Sequence, residues 1–107
     1  MSATTRTLHA QLRPFAEAFI RHLEQNGVRV TLTSSYRSPT KQRELYEKYR
    51  RGLSRFPAAK PGSSLHEQRR AFDLHLDPPV YQAAGQLWES MGGRWGGRFN
   101  DPIHFEA

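Results

Sequence analysis

The stretch "SSLHEQRRAFDLHL", residues 63–76, passes from a loop of small residues into an alternating apolar and polar run. The alternation predicts a β-strand with Phe72 on one face and Asp73 on the other. His66 is followed by a Glu, but Arg70 stands where the second His of a helical HExxH zinc motif would be. The segment therefore predicts a loop that leads into a strand. His66 and Asp73 are polar residues in this segment that need interaction partners.

Asp73 needs a partner because its strand is otherwise apolar in alternation, and an unpaired buried charge is costly. A metal ion, shared with His66, would be one such partner. Pairing with an arginine or capping of a turn would be the other. The segment alone leaves both interpretations open and favours the second.

The C-terminal segment "NDPIHFE", residues 100–106, carries a second pair of one carboxylate and one imidazole side chain. Asp101 and His104 are three residues apart, and Pro102 restricts the chain between them, so both side chains can converge on one point. His104 is then a candidate third ligand, with Asp101 free to accept a proton from water. The alternative is a turn Asp followed by a packed His.

The first half of the chain predicts two helices and a strand. Apolar residues recur at helical spacing from Leu8 to Leu23, which predicts a helix with one buried stripe. Alternation over residues 28–34 predicts a strand with one buried face. Ser38 followed by Pro39 is typical of an N-cap and a first helical position, and this second helix continues to Arg50.

The second half predicts a loop, a helix and short strands around the central strand. Pro, Gly and Ser residues mark a loop over 52–64, and the segment 77–91 has helical spacing that ends at Gly92-Gly93. Residues 94–107 read as short strands joined by a turn. No regular βαβ period is present, so we expect residues 1–107 to form a small single α+β domain with a mostly antiparallel sheet flanked by helices.

Composition narrows the function classes. The 107 residues carry a net charge of +6 and no cysteine, which excludes disulfides and thiolate metal sites and favours an attraction to polyanions. No stretch approaches the ~20 apolar residues of a membrane span, and the N-terminus has no apolar core of an export signal. We therefore expect a monomer made in the cytoplasm, with no membrane partner and no nucleic-acid partner, since no nucleic-acid-binding motif accompanies the charge.

Five histidines are present, and two of them, His66 and His104, are the ligand candidates already described. His9 and His22 fall off the apolar stripe of the first predicted helix, so we expect them on the solvated surface. His75 shares a strand face with Asp73. It is a candidate fourth ligand, a partner of a ligand or a surface residue.

Four motifs in this order resemble those of the zinc D,D-carboxypeptidase and L-alanyl-D-glutamate endopeptidase family of peptidoglycan hydrolases. That family includes phage endolysins and vancomycin-resistance D,D-peptidases, and shares its core fold with the Hedgehog signalling domain. The resemblance covers about Val30 to Glu106. The motifs are "TSSYRSPTKQRELY" (33–46), "SSLHEQRRAFDL" (63–74), "GGRWGG" (92–97) and "NDPIHFE" (100–106).

The resemblance implies a role for seven residues. By position, the zinc ligands are His66, Asp73 and His104, and the catalytic base is Asp101. Arg37 matches the arginine that holds the substrate carbonyl and stabilises its oxyanion. Two further residues match positions that contact the substrate or support the site, namely Ser64 and Gln42.

One position departs from the family pattern SxHxxGxAxD, because Arg69 replaces its glycine. If this glycine serves a left-handed backbone conformation, an arginine there costs roughly 1 to 2 kcal/mol, which a folded domain tolerates. A bulky side chain would also be able to obstruct the substrate groove. The resemblance therefore predicts zinc binding more firmly than activity.

The predicted function is hydrolysis of an amide bond in the peptide stem of peptidoglycan, with Zn²⁺ as cofactor, by endopeptidase or carboxypeptidase action. We expect a role in bacteriolysis, as a phage-type lysis protein or a virion component. One alternative is a catalytically silent, zinc-containing wall-binding module, which Arg69 and the basic surface favour. Another is a nucleic-acid-binding protein, which the charge alone supports.

Overall fold

An antiparallel sheet organises the chain in a computed structural model that describes residues 3–55 and 57–107. The three α-helices and four strands of these residues are α1 (Arg13–Gln25), β1 (Thr31–Ser34), α2 (Pro39–Arg50), β2 (Ala71–His75), α3 (Tyr81–Ser90), β3 (Arg94–Trp95) and β4 (His104–Glu106). The strand order is β1-β2-β4-β3, and every pairing is antiparallel. The predicted α+β class is confirmed.

The register of the two central strands brings distant parts of the chain together. Asp73 on β2 lies opposite His104 on β4, and on its other side it lies opposite Ser34 on β1. Directly opposed residues in an antiparallel pair have Cβ atoms ~4.5–5.5 Å apart, so their side chains meet on one face of the sheet. The sheet therefore places the two predicted ligands beside each other.

The opposite face of the same strands forms the hydrophobic core. Phe72 and Phe105 are fully buried, and their rings stack with centroids 5.6 Å apart. Trp88 of α3 packs edge-on to Phe72 at 5.3 Å, and Phe19 of α1 lies 5.2 Å from Phe105. Burial of these aromatic side chains holds the sheet in one register, because a slip by one residue would turn them toward the opposite face.

The predicted start of the first helix is wrong. The helix begins at Arg13, and Leu8 and Leu12 reach the core from the turns before it. Pro14 explains the boundary, since it has no N–H to donate within a helix and is tolerated only in the first turn. Phe15 was predicted on the buried stripe but is 55% exposed.

The other two helices show one confirmed and one corrected boundary. Ser38 caps α2 as predicted, because its hydroxyl accepts a hydrogen bond from the Lys41 backbone N–H at 3.2 Å. The third helix begins at Tyr81, after a 3-10 turn over Pro78–Val80, whereas the sequence predicted a start near Asp77. Within the described residues, no helix combines the length and the apolar character needed to cross a membrane.

The backbone of Arg69 is left-handed, with φ of 64°. This is the conformation expected if the glycine of the family pattern serves a left-handed turn at this position. Its backbone carbonyl accepts a hydrogen bond from His9 N–H at 2.8 Å, and its guanidinium donates to the Thr7 carbonyl at 3.2 Å. The guanidinium also lies 4.2 Å from the centroid of the Tyr36 ring. These contacts tie the N-terminal segment to the turn before β2 and offset part of the backbone strain.

Replacement of Arg69 by Gly and by Ala separates the strain from the contacts. Both variants lose the guanidinium contacts, but only Gly relieves the left-handed strain, so we expect Arg69→Gly to be more stable than Arg69→Ala by about 1 kcal/mol. Urea unfolding measures the difference. The same pair at Arg29, which is exposed and outside the positive-φ residues, should show no advantage for Gly. If Arg69→Ala were as stable as Arg69→Gly, the inference that the backbone is strained at this position would be wrong.

Candidate metal centre

Three side chains converge on the polar face of the sheet. His66 comes from the loop before β2, Asp73 from β2 and His104 from β4, and one nitrogen or oxygen of each lies within 4.8 Å of the others. The Asp73 Oδ1 atom is 3.2 Å from His66 Nε2 and 3.4 Å from His104 Nδ1. All three residues are buried.

The outer nitrogen of each imidazole already has a partner. His66 Nδ1 lies 2.9 Å from the Ser35 carbonyl, and His104 Nε2 lies 2.7 Å from Glu106 Oε1. Both partners only accept hydrogen bonds, so in a neutral imidazole these outer nitrogens carry the hydrogen. The lone pairs of His66 Nε2 and His104 Nδ1 then face Asp73.

Asp73 Oδ1 completes the set. It is buried and has no hydrogen-bond partner among the described residues, although it faces both ring nitrogens. An unpartnered buried carboxylate oxygen is unfavourable, and three electron pairs directed at one point are the donor arrangement that a cation requires. Two imidazole nitrogens and one carboxylate oxygen match a catalytic zinc site, which keeps its fourth position open.

The charge state of the carboxylate supports this interpretation. Burial alone would raise the pKa of Asp73, but the hydrogen bonds and positive charge that His104 and His66 supply when protonated outweigh it and lower the pKa to about 2. Burial would lower the pKa of His104, whereas its contacts with Asp73 and Glu106 raise it. Asp73 is therefore ionised at neutral pH and available as a ligand.

Arg37 lies against the other oxygen of Asp73, at 3.6 Å from Oδ2. Its guanidinium donates hydrogen bonds to Gln42 Oε1 at 2.9 Å and to Ser34 Oγ at 3.2 Å. Burial lowers the pKa of Arg37, and the charges of Asp73 and Asp101 offset this in part, but an arginine remains protonated. Arg37 is thus the arginine partner considered from the sequence, and the other oxygen of Asp73 lies in the candidate metal site.

Gln42 and Ser64 hold neighbouring groups in place. Gln42 is fully buried, accepts from Arg37 and donates its amide N–H to the Ala59 carbonyl at 2.8 Å. Ser64 is buried, and its hydroxyl accepts a hydrogen bond from His66 N–H at 3.2 Å. One residue orients the guanidinium and the other orients the turn that carries the first histidine.

These groups open onto a cleft of about 480 Å³. Asp101 lines it and is partly buried, and its backbone carbonyl accepts a hydrogen bond from His104 N–H at 3.0 Å. Burial and the charge of Asp73 raise the pKa of the Asp101 carboxyl. A carboxylate that is outside the ligand group, with a raised pKa, is suited to accept and return a proton. The cleft-lining residues with predicted roles are Arg37, Gln42, Ser64, His66, Asp101 and His104.

The remaining expectations concern residues that do not join the centre. His9, His22 and His75 are all exposed, as predicted for the first two, and His75 is outside the convergent group of the described residues. The side chain of Arg69, which the sequence left open as an obstruction of the groove, lies against Tyr36 and is not among the described residues lining the cleft. Its backbone conformation turns it toward the N-terminal segment.

Two residues of the sequence motifs support the centre, although the motifs predicted no role for them. Glu106 contacts His104, and strand alternation, which puts both on one face, was the signal that would have found it. Gly96 accepts a hydrogen bond from Asp101 N–H at 2.8 Å, and a Cβ there would lie 2.2 Å from the Asp101 carbonyl oxygen. Gly96 therefore allows close packing of the turn that carries Asp101, which no local pattern revealed.

Comparison with solved structures shows the same fold. The vancomycin-resistance D,D-pentapeptidase VanY from a VanB-type cassette, a point mutant in complex with Zn(II), matches with a TM-score of 0.75 and 19% identity. The match covers 92% of this chain and 71% of that chain. VanYB in complex with D-alanine-D-alanine matches with a TM-score of 0.73 and 18% identity, over 92% and 70% of the two chains. The predicted D,D-peptidase-like fold is confirmed.

Sequence comparison gives the family. No curated protein sequence matches the chain. The sequence model of VanY, described as D-alanyl-D-alanine carboxypeptidase, matches residues 5–93, which is most of the chain. The protein that carries this His, Asp and His centre therefore belongs to the VanY family of D-alanyl-D-alanine carboxypeptidases.

Proposed function

We propose that the protein is a zinc-dependent peptidase that hydrolyses an amide bond in the peptide stem of peptidoglycan. The observation that carries the proposal is the convergence of His66 Nε2, Asp73 Oδ1 and His104 Nδ1 beside a cleft lined by Arg37 and Asp101. Family membership supports the reaction. The Zn(II) and D-alanine-D-alanine complexes of the two structural neighbours support the cofactor and the substrate class.

The residues around the centre divide the chemistry between them. When bound by the three ligands, zinc acts as a Lewis acid and makes water nucleophilic near neutral pH. Asp101 accepts the proton of the attacking water and returns it to the departing amine, a role that contributes about 10²- to 10⁴-fold. Arg37 donates hydrogen bonds to the carbonyl oxygen as negative charge develops there. Gln42 and Ser34 keep that guanidinium in place.

The scissile bond that the family favours is the terminal D-alanyl-D-alanine amide. The sequence motifs also resemble those of L-alanyl-D-glutamate endopeptidases, so an internal cut is the second candidate. The two reactions give different products, free D-alanine in the first case and new ends between L-alanine and D-glutamate in the second. Lysis of cells, as expected of a phage endolysin, stays a prediction, and the turbidity of permeabilised bacteria measures it.

One of the two arguments for a catalytically silent wall-binding module is weakened. It rested partly on Arg69, which does not line the cleft among the described residues. Its other support, the net charge of +6, fits an enzyme equally well, because a basic surface favours approach to an anionic wall. The geometry therefore favours the catalytic proposal.

Replacement of Asp101 by Asn tests the proposed reaction. Asn keeps the shape but cannot take a proton, so we expect hydrolysis to fall by about 10²- to 10⁴-fold while zinc remains bound. Mass spectrometry of purified peptidoglycan, incubated with the zinc-loaded protein, identifies the bond that is cut. Asp77→Asn, at an exposed position, is the control and should retain full activity. Intact stems with the zinc-loaded wild-type protein would refute the proposed function.

Replacement of Arg37 by Lys tests oxyanion stabilisation. Lys keeps a positive charge but lacks the planar fork that reaches Gln42 and Ser34, so we expect kcat to fall by about 10²-fold with little change in zinc affinity. Steady-state kinetics on the stem peptide measure the change. Arg43→Lys, on the exposed side of α2, is the matched control. An unchanged kcat for Arg37→Lys would remove Arg37 from the mechanism.

A further inference from the structure

Glu106 contacts the metal centre without belonging to its ligand group. Its Oε1 atom lies 2.7 Å from His104 Nε2, and its Oε2 atom lies 3.9 Å from Arg94 NH1. The side chain is only 14% exposed. We propose that Glu106 is a positioning residue that holds the His104 ring with Nδ1 toward Asp73 and so sets the affinity of the site for zinc, an inference that rests on the proposed zinc site.

The argument begins with the freedom of an imidazole. A histidine side chain has two tautomers and can turn its ring over, and only one combination places a lone pair on Nδ1 facing Asp73 Oδ1. Glu106 selects that combination, because its carboxylate accepts a hydrogen bond from Nε2–H. Among the described residues, Glu106 is the hydrogen-bond partner of this nitrogen.

The two histidine ligands differ in how they are held. His66 Nδ1 is paired with the backbone carbonyl of Ser35, which no side-chain replacement removes. His104 depends on a side chain two residues further along the same strand. Loss of such an outer partner typically weakens metal binding by 10–100-fold. Glu106 is therefore the position at which a substitution outside the ligand group is expected to change zinc affinity most directly.

Glu106 is itself placed by β4. Its backbone pairs with Ala71 on β2 and Arg94 on β3, and its carbonyl accepts a hydrogen bond from Trp88 Nε1 at 3.0 Å. The Arg94 side chain is 69% exposed, and an ion pair at 3.9 Å with such exposure contributes little. The strand pairing, more than the arginine, holds the carboxylate against His104.

The test measures zinc affinity of the full chain by competition with a chromogenic chelator. We expect Glu106→Ala to bind zinc about 10–100-fold more weakly than the wild type. Glu106→Gln keeps an acceptor oxygen and should lose less, which also guards against a folding defect in the Ala variant. Arg94→Ala is the matched control for the second contact of the carboxylate and should bind as the wild type does.

A second readout follows the ring itself. Nitrogen chemical shifts of His104 distinguish its tautomers. At a pH at which the zinc-free ring is neutral, we expect the Nε2–H form in the wild type and a mixture in Glu106→Ala. A variant that is merely less stable would keep the wild-type tautomer and the wild-type zinc affinity, and that outcome would overturn the inference while leaving the proposed function intact. Failure of the wild-type protein to bind zinc would overturn both.

Discussion

The antiparallel pairing of β2 with β4 is the constraint on which the rest of the molecule depends. It sets Asp73 opposite His104 on one face of the sheet and Phe72 opposite Phe105 on the other. A slip of one residue would bury the charged groups in the core and expose the aromatic rings. The hydrophobic core and the candidate metal centre therefore stabilise the same register, each from its own side.

Burial of charged groups on the polar face of the sheet has an electrostatic cost that burial of apolar side chains in the core does not have. A carboxylate oxygen is buried there between two imidazole lone pairs, without a hydrogen bond among the described residues. Partners outside the centre, the Ser35 carbonyl and Glu106, orient the rings so that this arrangement persists. A cation of the zinc type would remove this cost, so the geometry fits a metal centre.

Supporting residues connect the centre to the loops around it. Gln42 links Arg37 on one side to the Ala59 carbonyl on the other, so α2 and the long loop after it share a fixed contact at the cleft wall. Gly96 allows the turn that carries Asp101 to pack closely. Arg69 keeps a left-handed backbone at the turn before β2, and its guanidinium contacts Thr7 and Tyr36 and is not among the described residues that line the cleft.

The sequence by itself determined the features that depend on near neighbours: the strand alternation around Asp73, the Ser38 cap and the α+β class. The resemblance of its motifs named the ligand candidates, and the structure brings His66, Asp73 and His104 together. Only the tertiary structure decided the strand order, the register and the contact of Glu106 with His104, because these depend on pairing between segments far apart in the chain. The same holds for the first helix, whose apolar spacing extends back to Leu8 although Pro14 and the packing of the preceding turns delay its start to Arg13.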